Sequence, residues 1–172
     1  MRPPEGVRLS ARSVVATVSV ARQQMCVAMG GCTVATYPVS TARAGVGGKA
    51  GSNKTPPGWH RVCARYGAKA PLGQVFVSRR PVKGQILPTA AWRAGGDADL
   101  ILSRILWLDG LEPSVNKGGS VDSRARYIYL HGTNQEQLLG KPTSHGCIRL
   151  SNHDIADLFT LVRGRPFYVN IV

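Results

Sequence analysis

The sequence predicts a mainly β protein, an all-β sandwich or a partly closed barrel, with one short helix near the C-terminus. β-Branched residues recur in short runs separated by glycine turns, and only one late segment has the apolar spacing of a helix. Many short strands with one late helix are typical of this class. The 172 residues suit one domain with a single core.

Five strands are predicted in the first half of the chain, at residues 14–20, 24–28, 33–39, 59–64 and 73–77. Gly30-Gly31 marks the turn between the second and the third of them. Residues 44–58 then form a loop with five glycines and two prolines. Long loops in compact domains are often functional, so this loop is a candidate for a role at a site.

Two strands are predicted in the middle of the second half. Residues 83–99 are mixed in character and contain a turn signal at Gly95-Gly96-Asp97. The apolar run at residues 100–108 predicts the first of these strands. Residues 127–131 alternate in character and predict the second. Successive side chains of a strand point to opposite faces, so three side chains are expected on one face: Tyr127, Tyr129 and His131.

The one predicted helix follows residue 150. Ser151 or Asn152 is expected to cap it and Gly164 to end it. A closing strand is predicted at residues 166–172. The apolar face of the helix is formed by Ile155, Leu158, Phe159 and Val162, at the spacing i, i+3, i+4 and i+7.

The first twelve residues carry two prolines and three arginines without an apolar period, which predicts a flexible arm before a domain at residues 13–172. Residues 14–21 have some features of a secretory signal. Thr17 and Ser19 interrupt the apolar run, however, and favour a strand. No run of 18 apolar residues predicts a transmembrane helix.

The chain carries a net charge of +13, from 22 Lys and Arg against 9 Asp and Glu. Such a charge favours anionic partners, namely nucleic acid, a membrane surface or an acidic polymer such as a cell wall. The basic residues are scattered and aromatic residues make up only 6% of the chain. A basic arm or a base-stacking platform is therefore not predicted, and nucleic-acid binding is not expected.

Four cysteines are too few for a disulfide-stapled scaffold, and no CxxC pair indicates structural zinc. Cys26 and Cys32 flank the Gly30-Gly31 turn, and whether they pair depends on the strand register, which the sequence leaves open. His131, His145 and Cys147 are zinc-ligand types, but the fourth ligand and the usual spacing are missing. No metal or cofactor is predicted.

The chemistry is expected at Cys147, because a cysteine becomes a nucleophile when a neighbouring base takes its proton. His131 is the candidate base, 16 positions earlier (147 − 131) at a predicted strand end. Gly146 lets the backbone approach a substrate closely and form an oxyanion hole. Arg149 is placed to bind a substrate carboxylate. A single cysteine or histidine is more often structural, so these residues carry weight only together.

Together they resemble a known signature. The run His131-Gly132-Thr133, followed by GKPTSHGCIRL at residues 140–150, resembles the active site of the L,D-transpeptidases of the YkuD type. That signature is a histidine, a spacer, Ser or Thr, His-Gly-Cys, an apolar residue, and Asn or Arg. Residues 37–41, residues 55–58 and the terminal helix and strand are also similar, so the likeness spans residues 14–172.

The resemblance implies a β-sandwich catalytic domain that transfers acyl groups of peptidoglycan stem peptides through a cysteine. Cys147 is then the nucleophile and His131 the general base, with its imidazole supported by the Gly132 carbonyl. His145 helps to position the site. The oxyanion hole consists of the backbone at residues 145–147, including Gly146, in a turn shaped by Ser144.

The implied reaction releases D-alanine and leaves a thioester on Cys147. An amine of a second stem resolves it into a 3–3 cross-link, as in cell-wall organisation and cell shape, whereas water gives L,D-carboxypeptidase activity and a protein lysine gives attachment to the wall. The charge leaves a second class open, a non-catalytic basic module that binds the wall. The family implies the periplasm or cell envelope, but no clear export signal is visible, so the cytoplasm stays open. Oligomeric state is not predicted.

Overall fold

The computed structural model describes residues 3–96 and 98–172, and within them the strands join into one sheet. Met1 and Arg2 of the predicted arm and Asp97 of the predicted turn lie outside the described residues. The strands are β1 (Val14–Ser19), β2 (Gln24–Met29), β3 (Cys32–Pro38), β4 (Gly58–Tyr66), β5 (Gln74–Val77), β6 (Arg80–Ile86), β7 (Ile101–Gly110), β8 (Tyr129–Thr133), β9 (Ile148–Leu150) and β10 (Phe167–Ile171). The helices are α1 (Thr89–Ala94) and α2 (Asn152–Leu161), with 3₁₀ turns at Gly119–Val121 and Glu136–Leu138.

The sheet branches at β7, its longest strand. Its main path runs β3-β2-β1-β10-β4-β7-β5-β6, while β8 pairs with β7 and β9 pairs with β8. The β1–β10 and β8–β9 pairs are parallel and the others antiparallel. The parallel β8–β9 pair lies side by side across the connection formed by residues 134–147, because a parallel pair needs a crossover of about a dozen residues or more.

The two faces of β7 and β8 carry different clusters, as period-2 alternation requires. Leu106, Leu108 and Leu130 face the main core, into which α2 packs Ile155 and Leu158. The opposite face carries a second apolar cluster, formed by Phe76, Ile105 and Tyr129 with Tyr66, Ala70, Ile101, Trp107 and Cys147 packed against it. Cys147 therefore lies on the face of the sheet that α2 does not cover.

The predicted mainly β class and the helix near the C-terminus are confirmed. All the predicted strands are present to within a few residues, and the Ser151 hydroxyl caps α2 by accepting from the Asp154 N–H at 3.0 Å. The sequence missed three elements. The six-residue α1 has no side-chain cap, β6 is a mostly exposed edge strand, and β9 has only three residues. Such short or exposed elements carry little periodic signal.

Residues 3–12 contain no strand or helix, and their predicted flexibility stays a prediction. Cys26 and Cys32 are both free: Cys26 lies opposite Thr36 and Cys32 opposite Met29 in the β2–β3 register. Neither helix in the described part of the chain has the length and apolar character needed to cross a membrane.

Candidate active site

The β8–β9 pair places Cys147 and His131 on one face of the sheet. In the register of the pair Leu130 lies opposite Ile148 and His131 opposite Arg149. Leu130 and Ile148 point into the main core, so the residues on either side of them point to the other face. Tyr129 and His131 of β8 thus share a face with Cys147 and Arg149. The pairing thus places His131 and Cys147 on the same face of the sheet, and their predicted contact stays a prediction.

Two backbone groups of the segment leading into β8 hold the partly buried Cys147 thiol. The Tyr129 N–H donates to Cys147 Sγ at 3.4 Å, and Sγ–H donates to the Tyr127 carbonyl at 3.5 Å. Burial raises the pKa of the Cys147 thiol from its usual 9.0 to about 11, although the Tyr129 N–H lowers it. The thiol is therefore protonated at neutral pH in the resting protein.

His131 is 3% exposed, and its Nδ1 lies 2.9 Å from the Gly132 carbonyl oxygen. A carbonyl only accepts, so Nδ1 carries the proton and Nε2 is the basic nitrogen. Burial lowers the pKa of His131 below its usual value, although the contact with Gly132 and the charge of Asp99 raise it. The imidazole is therefore neutral at pH 7 and can accept a proton.

The resting pair is thus an uncharged thiol and an uncharged imidazole rather than a thiolate and an imidazolium. Burial disfavours the charged form of both groups, and both pKa values move in the direction that burial dictates. Such a pair suits general-base catalysis, in which the proton leaves sulfur only as the sulfur attacks.

The turn before Cys147 is closed by the Ser144 hydroxyl. Ser144 Oγ accepts from the Gly146 N–H at 3.2 Å and donates to the Cys147 carbonyl at 2.6 Å. Gly146 has φ 131°, a backbone conformation that residues other than glycine rarely adopt. Because the Gly146 N–H already has a partner, an oxyanion hole at this residue requires the bond to Ser144 to be shared or exchanged.

Arg149 lies beneath the site and binds a carboxylate of the chain itself. It is 1% exposed, and its guanidinium pairs with Asp99 and donates to Gln135 Oε1 at 2.9 Å and to Thr143 Oγ1 at 3.3 Å. The sequence predicted that Arg149 would bind a substrate carboxylate. In the structure the guanidinium is paired with Asp99, which lies in the segment before β7, and binding of a substrate carboxylate by Arg149 stays a prediction.

Asp99 also contacts His145, which the sequence assigned to positioning the site. His145 Nδ1 lies 3.0 Å from Asp99 Oδ2, and its side chain is 73% exposed. Burial raises the pKa of Asp99, but its contacts with His145 and Arg149 outweigh this and hold the pKa below its usual value. Asp99 thus joins the exposed His145 to the buried Arg149, and no motif in the sequence pointed to it.

The glycine-rich loop at residues 44–58 is fastened to the turn before Cys147. Thr55 Oγ1 donates to the Gly146 carbonyl at 3.0 Å and accepts from the Ala42 N–H at 2.9 Å. The Arg126 guanidinium donates to three carbonyls of this loop, those of Gly47, Gly48 and Lys54. The prediction that the loop belongs to a site agrees with these contacts. Neither the hydrogen bonds of the Thr55 side chain nor the role of Arg126 is marked by a motif in the sequence.

Within the described residues, no three His, Cys, Asp or Glu side chains converge to form a metal-binding group. The zinc alternative, which needed His131, His145 and Cys147 together, therefore has no ligand cluster in this part of the chain. What the strands bring together is a thiol and an imidazole on one face of a branched sheet. Fold and site together define a mainly β domain with a cysteine and a histidine on one face of its sheet.

The family follows from comparison with known proteins. Residues 13–169 match the family model of the L,D-transpeptidase catalytic domain, and the chain belongs to this family. No curated protein matches the sequence.

Solved structures with the same fold include L,D-transpeptidases from three bacteria. The Mycobacterium smegmatis enzyme is 19% identical with a TM-score of 0.51, and L,D-transpeptidase 3 from Mycobacterium tuberculosis, solved with a faropenem-derived adduct, is 18% identical with a TM-score of 0.53. A cysteine-to-serine mutant of the Enterococcus faecium enzyme is 12% identical with a TM-score of 0.54. Each match covers 92% of this chain, but only 58%, 59% and 49% of those chains, respectively. The chain thus spans about half to three-fifths of its solved relatives.

Proposed function

We propose that the protein is a cysteine acyl-transferase that acts on peptidoglycan stem peptides through a thioester on Cys147. The observation that carries the proposal is the β8–β9 pair, which sets the Cys147 thiol beside Tyr129 and on the face of His131. Membership of the L,D-transpeptidase family supports the choice of substrate.

In the proposed first step, His131 Nε2 takes the proton of Cys147 Sγ as the sulfur attacks the carbonyl carbon that precedes D-alanine. A carbon–sulfur bond forms, and the carbonyl oxygen becomes an oxyanion near the turn at Gly146. The C–N bond then breaks, and His131 returns the proton to the leaving amine, which departs as D-alanine. A thioester remains on Cys147.

In the second step an acceptor resolves the thioester. An amine of a second stem gives a 3–3 cross-link, and His131 takes its proton before the thiol regains it. Water in place of the amine gives carboxypeptidase activity by the same proton path. The partly buried thiol, which is protonated at rest, would limit loss of the nucleophile to oxidants between turnovers.

The test incubates the protein with a tetrapeptide stem and follows D-alanine and the products by mass spectrometry. Wild type should release D-alanine and Cys147→Ala should release none. Cys63→Ala is the matched control, since Cys63 is also a partly buried free thiol and its pKa is also raised by burial. It should keep the activity. Equal release from Cys147→Ala and wild type would refute the proposal.

A second assay uses a relative's chemistry. One solved neighbour is a complex with imipenem and another carries a faropenem-derived adduct. We expect imipenem to add covalent mass to wild type and to Cys63→Ala but not to Cys147→Ala. Absence of D-alanine release, with salt-sensitive binding to sacculi that Cys147→Ala retains, would instead support the non-catalytic wall-binding module.

A further inference from the structure

A large groove lies on the same face of the sheet as Cys147. Its volume is about 660 Å³, within the range of small-ligand sites. Its walls come from the end of β4, the turn after it and the β5–β6 hairpin, and two of its lining side chains, Tyr66 and Phe76, belong to the apolar cluster against which Cys147 packs. The groove and the thiol therefore contact the same apolar cluster.

The charge of the groove is positive. Arg65, Lys69 and Arg79 line it, and none of its described lining residues is an aspartate or glutamate. The Arg65 guanidinium donates to the Arg165 carbonyl at 2.9 Å rather than to an acid. The ion pairs among the described residues involve Asp99 and Asp109 only, so these three cations have no carboxylate partner.

One residue connects the groove to the thiol. Arg79 Nη1 donates to the Tyr129 hydroxyl at 2.9 Å, and the backbone N–H of the same tyrosine donates to Cys147 Sγ. Arg79 is held over the rings of Trp107 and Tyr127, at 4.6 and 5.1 Å from their centroids. Aromatic contacts thus fix the Arg79 guanidinium, and Tyr129 links it to Cys147 Sγ.

We propose that this groove binds the carboxylate-bearing part of the acyl-donor stem peptide, with Arg65 and Lys69 as the specificity-determining cations. The inference rests on the proposed function and names its substrate chemistry. Guanidinium groups pair well with carboxylates, while the Tyr66 and Phe76 rings can cover the alkyl part of an amino acid. A donor whose scissile bond lies at Cys147 would extend along this face into the groove.

The test measures binding in the Cys147→Ala background, where no acyl transfer can occur. The probes are a tetrapeptide stem with free side-chain carboxylates and the same peptide with those carboxylates converted to amides. We expect the free acid to bind more tightly, and Arg65→Gln or Lys69→Gln to raise its Kd by about threefold to tenfold. The Kd of the amide should not change, and the preference for the acid should shrink at high salt.

Lys83→Gln is the matched control, because Lys83 is an exposed cation of β6 that does not line the groove. It should leave both Kd values unchanged. Lys69 is exposed, so Lys69→Gln keeps the test valid if loss of the Arg65 hydrogen bond impairs folding. Equal Kd values for groove variants and parent, or an equal loss in Lys83→Gln, would overturn the inference.

The two proposals fail separately. If wild type releases D-alanine while the groove variants bind the acid as the parent does, the groove inference falls and the proposed function stands. If wild type releases no D-alanine but Arg65 and Lys69 still make the acid peptide bind more tightly than the amide, the proposed reaction is refuted and the proposed ligand of the groove is supported.

Discussion

At the scale of single residues, the sequence could single out Cys147 and His131 as the candidate nucleophile and base, but not the residues that surround them. The pair belongs to a local motif, and its two segments are joined by one short connection. Asp99 comes from the segment before β7 and reaches the site only through the folded sheet, whereas Arg126 lies just before β8 and is held by carbonyls of the loop at residues 44–58. The carboxylate that pairs with Arg149 lies 50 positions earlier (149 − 99), and the predicted binding of a substrate carboxylate by Arg149 stays a prediction.

The reactivity of the Cys147 thiol gives the first prediction at this scale. Its pKa of about 11 means that the thiolate fraction grows about tenfold per pH unit below that value. The logarithm of the rate at which iodoacetamide alkylates Cys147 should therefore rise by about one for each pH unit between pH 7 and pH 10. A plateau in this range would contradict the neutral pair, because it would show a thiolate formed at lower pH.

The Arg126 charge lowers the Cys147 pKa, so Arg126→Gln should raise it and slow alkylation at every pH in this range, by about threefold. Arg124→Gln is the control, since Arg124 lies on the same segment but stacks over Trp107. Equal alkylation rates in Arg126→Gln and Arg124→Gln would show that the Arg126 charge does not lower the pKa of Cys147.

At the scale of elements, the strands with a clear apolar alternation could be predicted, and β9 could not. Its three residues are too short for any period, and its existence depends on pairing with β8. Yet β9 is the element whose pairing with β8 places Cys147 on the same face of the sheet as His131. The motif predicts that His131 and Cys147 approach each other, but the parallel pairing that places them on one face is a tertiary feature.

Close packing around β8 gives the prediction at this scale. A Cβ on Gly132 would lie 2.5 Å from Asn152 Oδ1 and 2.8 Å from the Leu102 carbonyl oxygen. Gly132→Ala should therefore lower the free energy of unfolding by roughly 1–3 kcal/mol, measured by urea denaturation. In the control Gly96→Ala the nearest atom is Asn134 Nδ2 at an ordinary 3.7 Å, so its loss should be much smaller. Equal free energies of unfolding for the two variants would show that β8 and its neighbours shift to accommodate the added methyl group at little cost.

At the scale of the whole molecule, composition predicted a basic protein but not where its charge acts. A net charge of +13 is compatible with many anionic partners. The fold gathers Arg65, Lys69 and Arg79 around one groove, while the acidic Asp99 and Asp109 are already engaged in ion pairs. The net charge therefore indicates a ligand only when the fold shows where the basic residues lie.

The fold also buries two histidines, which makes stability depend on pH. His60 is fully buried, with its Nε2 at 2.9 Å from Ser123 Oγ, and burial lowers its pKa from 6.5 to about 4. His131 is shifted in the same direction. As the pH falls, the unfolded chain binds protons at these residues at a higher pH than the folded protein does. The free energy of unfolding is therefore largest above pH 6.5 and decreases as the pH falls toward 4.

For His60 alone the shift corresponds to about 2–3 kcal/mol lost between pH 7 and pH 4.5. His60→Gln loses hydrogen bonds and should be less stable than wild type at pH 7, but its further loss on acidification should be smaller by that amount. His153→Gln removes an exposed histidine and should keep the wild-type pH dependence. Urea denaturation at the two pH values measures all three proteins. If His60→Gln and wild type lost the same free energy, His60 would titrate alike in the folded and unfolded states, and its burial would carry no proton linkage.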